Sequence, residues 1–188
     1  MLLTLPNLLT ASRILVVPLL VALLYHQAAW ASWAALALFV GASLTDWADG
    51  YFARRRQAVT PLGRFLDPIA DKFLVAAVLV MLVASDRVTG LPVVAVLLIL
   101  CRELLVSGLR EYLAGMGAQM PVSRLAKWKT AVQMVALGVL IVGEAGPDPL
   151  PVRLIGEGLL WLALVLTIVT GWDYMKKGFV HMQAPMQR

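Results

Sequence analysis

Six apolar segments joined by short polar links constrain this chain more than any other feature of its sequence. They cover roughly residues 13–25, 30–53, 67–84, 91–109, 123–143 and 152–175. A backbone in hydrocarbon must satisfy its own N–H and C=O groups, and a helix does so within one segment. A composition 61% hydrophobic and 14% charged, with mean hydropathy +0.83, places the chain among polytopic membrane proteins. The expected fold is all-α: one membrane-embedded domain over 1–188 with six transmembrane helices. Within it, 1–12 form an N-terminal interfacial helix bearing Leu2, Leu3, Leu5, Leu8 and Leu9. Residues 13–175 form the six-helix bundle, and 176–188 form a cytoplasmic tail. Pro18 is expected to bend the first span, and Pro68 to sit in the first turn of the third, where a missing N–H is harmless.

Charge placement orients this bundle. In the six-span arrangement every lysine and arginine falls on one side, except Arg87 and Arg153 in the opposite turns and Arg102 within a span. Cytoplasmic loops carry such an excess, so both termini are expected inside a bacterial-type inner membrane. The net charge of +5 does not point to nucleic acid, because aromatic residues do not interleave with the basic ones. Cys101 is the single cysteine and excludes an internal disulfide. The N-terminus lacks a small-residue cleavage site and reads as retained. Trp30, Trp33, Trp161 and Trp172 fall near span ends, where interfacial belts are the default.

Against this apolar background one stretch stands out, from Asp46 to Asp71. Asp46, Asp49, Gly50 and Ala53 stand at i, i+3, i+4 and i+7, so on a helix they share a face, and Arg54 follows. Gly63, Asp67 and Asp71 are spaced by four and give the next helix its own acidic stripe. A carboxylate inside a membrane segment costs several kcal/mol unless paired or hydrated, so such groups are presumed functional. Grouped hard oxygen ligands suit Mg2+ or Mn2+, and two such ions can share bridging carboxylates and clamp a phosphate. Gly50 and Ala53 leave space on the acidic face, and Arg54 can give a phosphate a bidentate contact. The plainer reading, ion pairs that merely let a bundle pack, does not account for four carboxylates on two matched stripes.

The run Asp46-x2-Asp49-Gly50-x2-Ala53-Arg54-x8-Gly63-x3-Asp67-x3-Asp71 resembles the signature of the CDP-alcohol phosphatidyltransferases in residue type and spacing. The likeness extends through PNLLTASR at 6–13, GRFLDPIADK at 63–72, CRELLVSGLREYLA at 101–114 and KWKTAVQMVAL at 127–137. It implies a six-helix homodimer with its site open to the cytoplasmic leaflet. It further implies that Asp46, Asp49, Asp67 and Asp71 bind two divalent ions and that Asp71 doubles as general base. Gly50, Ala53, Arg54 and Gly63 are implied to face CDP-diacylglycerol, with Thr10 nearby. The later stretches are most like the branch of the family that uses glycerol 3-phosphate as acceptor, with CMP as the product released.

A phosphomonoester acceptor needs fixed cations. Arg110, Arg124, Lys127 and Lys129 lie at the cytoplasmic ends of the fourth and fifth spans and are the candidates to hold it, although anchoring to lipid headgroups explains such residues too. Arg102 and Glu103 are intramembrane charges, expected as structural partners of the acidic helix or of Asn7. Other acceptors stay open at this point: inositol phosphate, serine or phosphatidylglycerol. A non-enzymatic rival is a cation or proton pathway. The external halves of the spans are nearly featureless, which favours a one-sided site over a route through the membrane.

Overall fold

The structure is a computed structural model that describes residues 5–56, 61–116 and 123–183, with side chains described except at 5–11, 13, 46–56, 61–68, 71 and 183. Among the described residues every regular element is helical: α1 Leu5–Tyr25, α2 Ala29–Arg56, α3 Pro61–Ala84, α4 Pro92–Gly115, α5 Arg124–Val142, a short 3-10 turn at Gly143–Ala145, and α6 Val152–Gln183. Among the described residues three stretches, Pro92–Gly115, Arg124–Ala145 and Val152–Met182, are long and apolar enough to cross a membrane. Three shorter apolar stretches lie in the first half, at Ile14–Tyr25, Ala29–Thr45 and Lys72–Ala84.

Several boundaries differ from those expected. Residues 5–25 form one helix, with no break separating an interfacial segment from the span that follows. The third helix starts at Pro61, so Pro68 stands inside it and not in its first turn. Pro61 fits a helix start for the reason expected of Pro68, a fixed φ and no N–H to leave unpaired. The last helix continues past 175 through Lys176 and Lys177 to Gln183, because nothing in that stretch of sequence forces a stop.

The chain divides into two compact units, Met1–Thr89 with Leu137–Arg153, and Gly90–Ala136 with Leu154–Arg188. In the first, α1 packs along both α2 and α3. Leu20 and Leu24 of α1, Ala31, Ala35 and Phe39 of α2, and Leu74, Val78, Leu79 and Leu82 of α3 are buried in it. Between helices in lipid, stability comes from close packing more than from hydrophobic transfer, and small residues allow that approach. Gly138 is such a residue, since a Cβ there would meet Leu36 Cδ1 at 3.3 Å. Leu15, Leu19, Leu44, Phe73 and Val80 point outward, the surface of a chain solvated by hydrocarbon.

In the second unit Pro92 opens α4, and Ser123 Oγ caps α5 by accepting the Ala126 N–H at 3.1 Å. Val96, Ile99, Val106 and Leu113 of α4 are buried, as are Leu160, Ala163, Leu164 and Tyr174 of α6. Gly178 lets α6 approach α4, because a Cβ there would lie 2.8 Å from Leu109 Cδ2. Leu97, Leu104 and Leu105, with Val165, Ile168 and Val169, face outward.

Candidate active site

The acidic motif divides between two uninterrupted helices of the first unit. Asp46, Asp49, Gly50, Ala53 and Arg54 fall in the last turns of α2, and Gly63, Asp67 and Asp71 in the first turns of α3. The side chains of these residues lie outside the described ones, as does that of Thr10 in α1; the link at 57–60 lies outside them entirely. What can be followed is the packed face of each helix as it reaches the motif. On α2 the buried series is Ala31, Ala35, Phe39 and Ala42, and the same spacing of three or four continues to positions 46, 49 and 53. On α3 the buried series is Ala70, Leu74 and Val78, and it continues backwards to 67 and 63. Positions 46, 49 and 53 of α2 and 63 and 67 of α3 thus keep the helical spacing of these buried series.

The second unit holds a polar network among apolar helices. Arg102 Nη1 donates to Glu103 Oε1 at 3.1 Å, and Arg102 Nη2 donates to Thr170 Oγ1 at 2.9 Å. Lys129 Nζ, from α5, donates to the same Glu103 oxygen. Thr170 Oγ1 lies 2.7 Å from the Leu166 carbonyl of its own helix, so the cluster is tied into α6 as well. The Arg102 guanidinium also lies 5.9 Å from the centre of the Tyr174 ring, within cation–π reach. Gly171 makes room for the arginine stem, since a Cβ there would come 3.1 Å from Arg102 Cγ. A charge in this setting is tolerated only when paired, and Glu103 serves two cations at once.

The four candidates for the acceptor phosphate are placed differently. Arg110, Arg124 and Lys127 are exposed, whereas Lys129 is 5% exposed and ion-paired with Glu103. Sequence reasoning missed Glu103 as the partner of Lys129. The two residues lie on different helices, so no helical spacing could reveal the pair. A usable signal was chemical: an acid and a base, each inside an apolar segment, need counter-charges at similar cost. Arg102 Nε, Gln133 Oε1 and Thr167 Oγ1 are buried without a hydrogen-bond partner among the described residues. Such buried polar atoms are able to take up a bound group or water.

Comparison with known proteins agrees with the motif. Residues 3–169 match the CDP-alcohol phosphatidyltransferase family. The chain is 49% identical to the CDP-diacylglycerol--glycerol-3-phosphate 3-phosphatidyltransferase of Rickettsia typhi, over 92% of this chain and 95% of that one. It is 35% identical to the protein of the same name from Cereibacter sphaeroides, over 96% and 97%. It is also 39% identical to a cardiolipin synthase (CMP-forming) of Oryza sativa, over 94% of this chain but 57% of the rice protein. With a match across nearly its whole length and an intact acidic signature, the chain belongs to the CDP-alcohol phosphatidyltransferase family.

Proposed function

We propose that this protein transfers the phosphatidyl group of CDP-diacylglycerol to the primary hydroxyl of sn-glycerol 3-phosphate, giving phosphatidylglycerophosphate and CMP. The observation that carries this reading is the near full-length 49% identity to a bacterial enzyme named for that reaction.

The donor set suits a pair of Mg2+ or Mn2+ ions. Asp46, Asp49, Asp67 and Asp71 are hard-oxygen ligands on two continuous helices, with no lysine or arginine between the members of either pair. When bound, such ions supply charge stabilisation to the reacting phosphate and the departing nucleotide. The residues do the rest. Asp71 accepts the proton of the acceptor hydroxyl as its oxygen forms the new P–O bond and the bond from that phosphorus to the CMP oxygen breaks. Arg54 holds the donor diphosphate and balances the charge that develops on CMP. Gly50, Ala53 and Gly63 leave the nucleotide space, with Thr10 beside it. Arg110, Arg124 and Lys127 take the acceptor phosphate, and Lys129 contributes to that charge while held by Glu103.

The setting is an integral protein of a bacterial-type inner membrane, with six spans, both termini and the active site on the cytoplasmic side, acting as a homodimer. Helices α1 to α3 have 21, 28 and 24 residues. At about 1.5 Å per residue each reaches the roughly 30 Å of a bilayer core, although its apolar part alone is shorter. Ending the apolar part early leaves the charged turns of α2 and α3 near one surface, which suits a site that takes its lipid donor from the membrane and its acceptor from water.

A second acceptor, phosphatidylglycerol, draws support from the likeness to the cardiolipin synthase. The lower identity and the partial cover of that relative weigh against it. The test is mass-spectrometric identification of the product made in proteoliposomes containing CDP-diacylglycerol and both acceptors. Phosphatidylglycerophosphate is expected; cardiolipin as the main product refutes the assignment, and cation flux abolished by Asp67→Asn revives a pathway function.

A further inference from the structure

At the end of α2 remote from the acidic motif, the first unit contains a cavity of about 320 Å3. Ser32, Ser85, Asp86, Arg87, Glu144 and Arg153 are among its polar lining. Ser32 and Asp49 are on the same helix, seventeen residues apart. At about 1.5 Å per residue the cavity lies roughly 25 Å along the axis from the candidate active site, towards the other membrane surface.

The wall is built rather than incidental. The Arg87 guanidinium is half-buried, and its Nη2 donates to Ser32 Oγ at 2.9 Å while Nη1 donates to the Ile141 carbonyl. Ser32 is 2% exposed. Gly143, at φ +51, keeps the backbone beside this guanidinium free of a side chain; a Cβ there would lie 3.7 Å from Nη1. Arg153 Nη2 donates to Thr89 Oγ1 at 2.6 Å, and its Nη1 is 3.9 Å from Glu144 Oε1. Burial lowers the Arg87 pKa from its ordinary value and Glu144 opposes that, so an added anion would relieve a desolvated cation. A clamp serving only to tie the turns together would fill its own space. Here the hydrogen bonds to Ser32 and Ile141 engage part of a five-donor group, and a cavity remains in front of it.

Two further features narrow the ligand. The lining carries both signs: Arg87 and Arg153 against Asp86 and Glu144. A simple anion site would not include two carboxylates, whereas a ligand with separate positive and negative ends uses both. The neighbouring surface is aromatic: Tyr25 and Trp30 are exposed, and Trp33 Nε1 donates to the Ala145 carbonyl at 3.2 Å. Exposed Tyr and Trp at a helix turn mark headgroup depth, where the available ligand is a phospholipid.

We propose that this cavity binds the headgroup of a zwitterionic phospholipid bearing a primary ammonium, its phosphodiester on Arg87 and its ammonium against Glu144 and Asp86. The site lies away from the transfer chemistry and belongs to the opposite leaflet. A quaternary ammonium cannot donate hydrogen bonds to a carboxylate, so phosphatidylcholine is the matched control.

The experiment is native mass spectrometry of the full-length protein in detergent, with equimolar phosphatidylethanolamine and phosphatidylcholine of identical acyl chains. Phosphatidylethanolamine is expected to be retained at least about tenfold better, the scale of one hydrogen bond to a charged group. Glu144 is a surface carboxylate, so Glu144→Gln leaves the fold and CMP release intact and brings the two lipids to equal retention. Arg87→Gln, which also loosens the turns, loses both. Glycerophosphoethanolamine separates the sources: retention of the diacyl lipid alone assigns the ligand to the membrane, and retention of both extends the site to soluble phosphodiesters. Equal retention of the two lipids by the unaltered protein, or a preference that survives Glu144→Gln, overturns the proposal.

Discussion

Replacing Glu103 by Gln removes one negative charge from a cluster that holds two positive ones. The side chains of Arg102 and Lys129 are 14% and 6% exposed, so neither can recover water in place of the carboxylate. Breaking a buried pair by deleting one partner costs about 3–5 kcal/mol. Glu103 is itself 21% exposed and the amide keeps one acceptor oxygen, which places this change near the lower end, about 3 kcal/mol. For a chain of this size that lowers Tm by roughly 6–12 °C. The assay is thermal unfolding in detergent followed by circular dichroism, with Lys129→Met and the double substitution alongside. Because Lys129→Met removes the cation stranded by Glu103→Gln, the double variant is expected to recover about 1–3 kcal/mol relative to the sum of the single changes. Strict additivity, or a shift for Glu103→Gln below about 2 °C, would refute the claim that these groups are one buried unit.

Asp67→Asn and Asp71→Asn are each expected to reduce CMP release by at least about a thousandfold without loss of the folded protein, checked by single-turnover assay and size-exclusion chromatography. Arg110→Ala and Lys127→Ala should each raise the KM for glycerol 3-phosphate about tenfold with kcat little changed, the worth of one charge-assisted contact; unchanged KM values remove these residues from the acceptor site. Ser123→Ala, which deletes the cap on the Ala126 N–H, should cost about 1 kcal/mol, read as a small fall in Tm. Leu79→Ala, at a position 0% exposed, should cost at least about 2 kcal/mol through the cavity it leaves.

The sequence displays most of the helical plan because lipid-facing helices must be apolar over many consecutive residues. The turns near 26–28, 85–91 and 143–151 fall where polar residues, glycine and proline interrupt that pattern. The acidic motif is legible for a related reason: charges within apolar sequence stand out, and spacing of three or four maps them to one face. Boundaries are harder. Two prolines compete for the start of α3, and local chemistry alone suits Pro61 and Pro68 equally. The extended part of α6 packs Gly178 against Leu109, a contact between helices that no local pattern encodes. The same holds for Lys129, whose basic neighbourhood resembles a phosphate site until Glu103 is brought to it by the fold of its unit. Arg87 looks like a surface residue of a short turn, yet Ser32 and Ile141, both remote in sequence, receive its hydrogen bonds.

Purified protein given CDP-diacylglycerol with Mg2+ or Mn2+ and, in turn, glycerol 3-phosphate, inositol phosphate, serine and phosphatidylglycerol puts the proposed reaction to its sharpest trial. CMP should appear at a rate that depends on glycerol 3-phosphate and falls to background when the divalent ion is chelated. Release of CMP at equal rates with any of the other alcohols, or with none present, would contradict it.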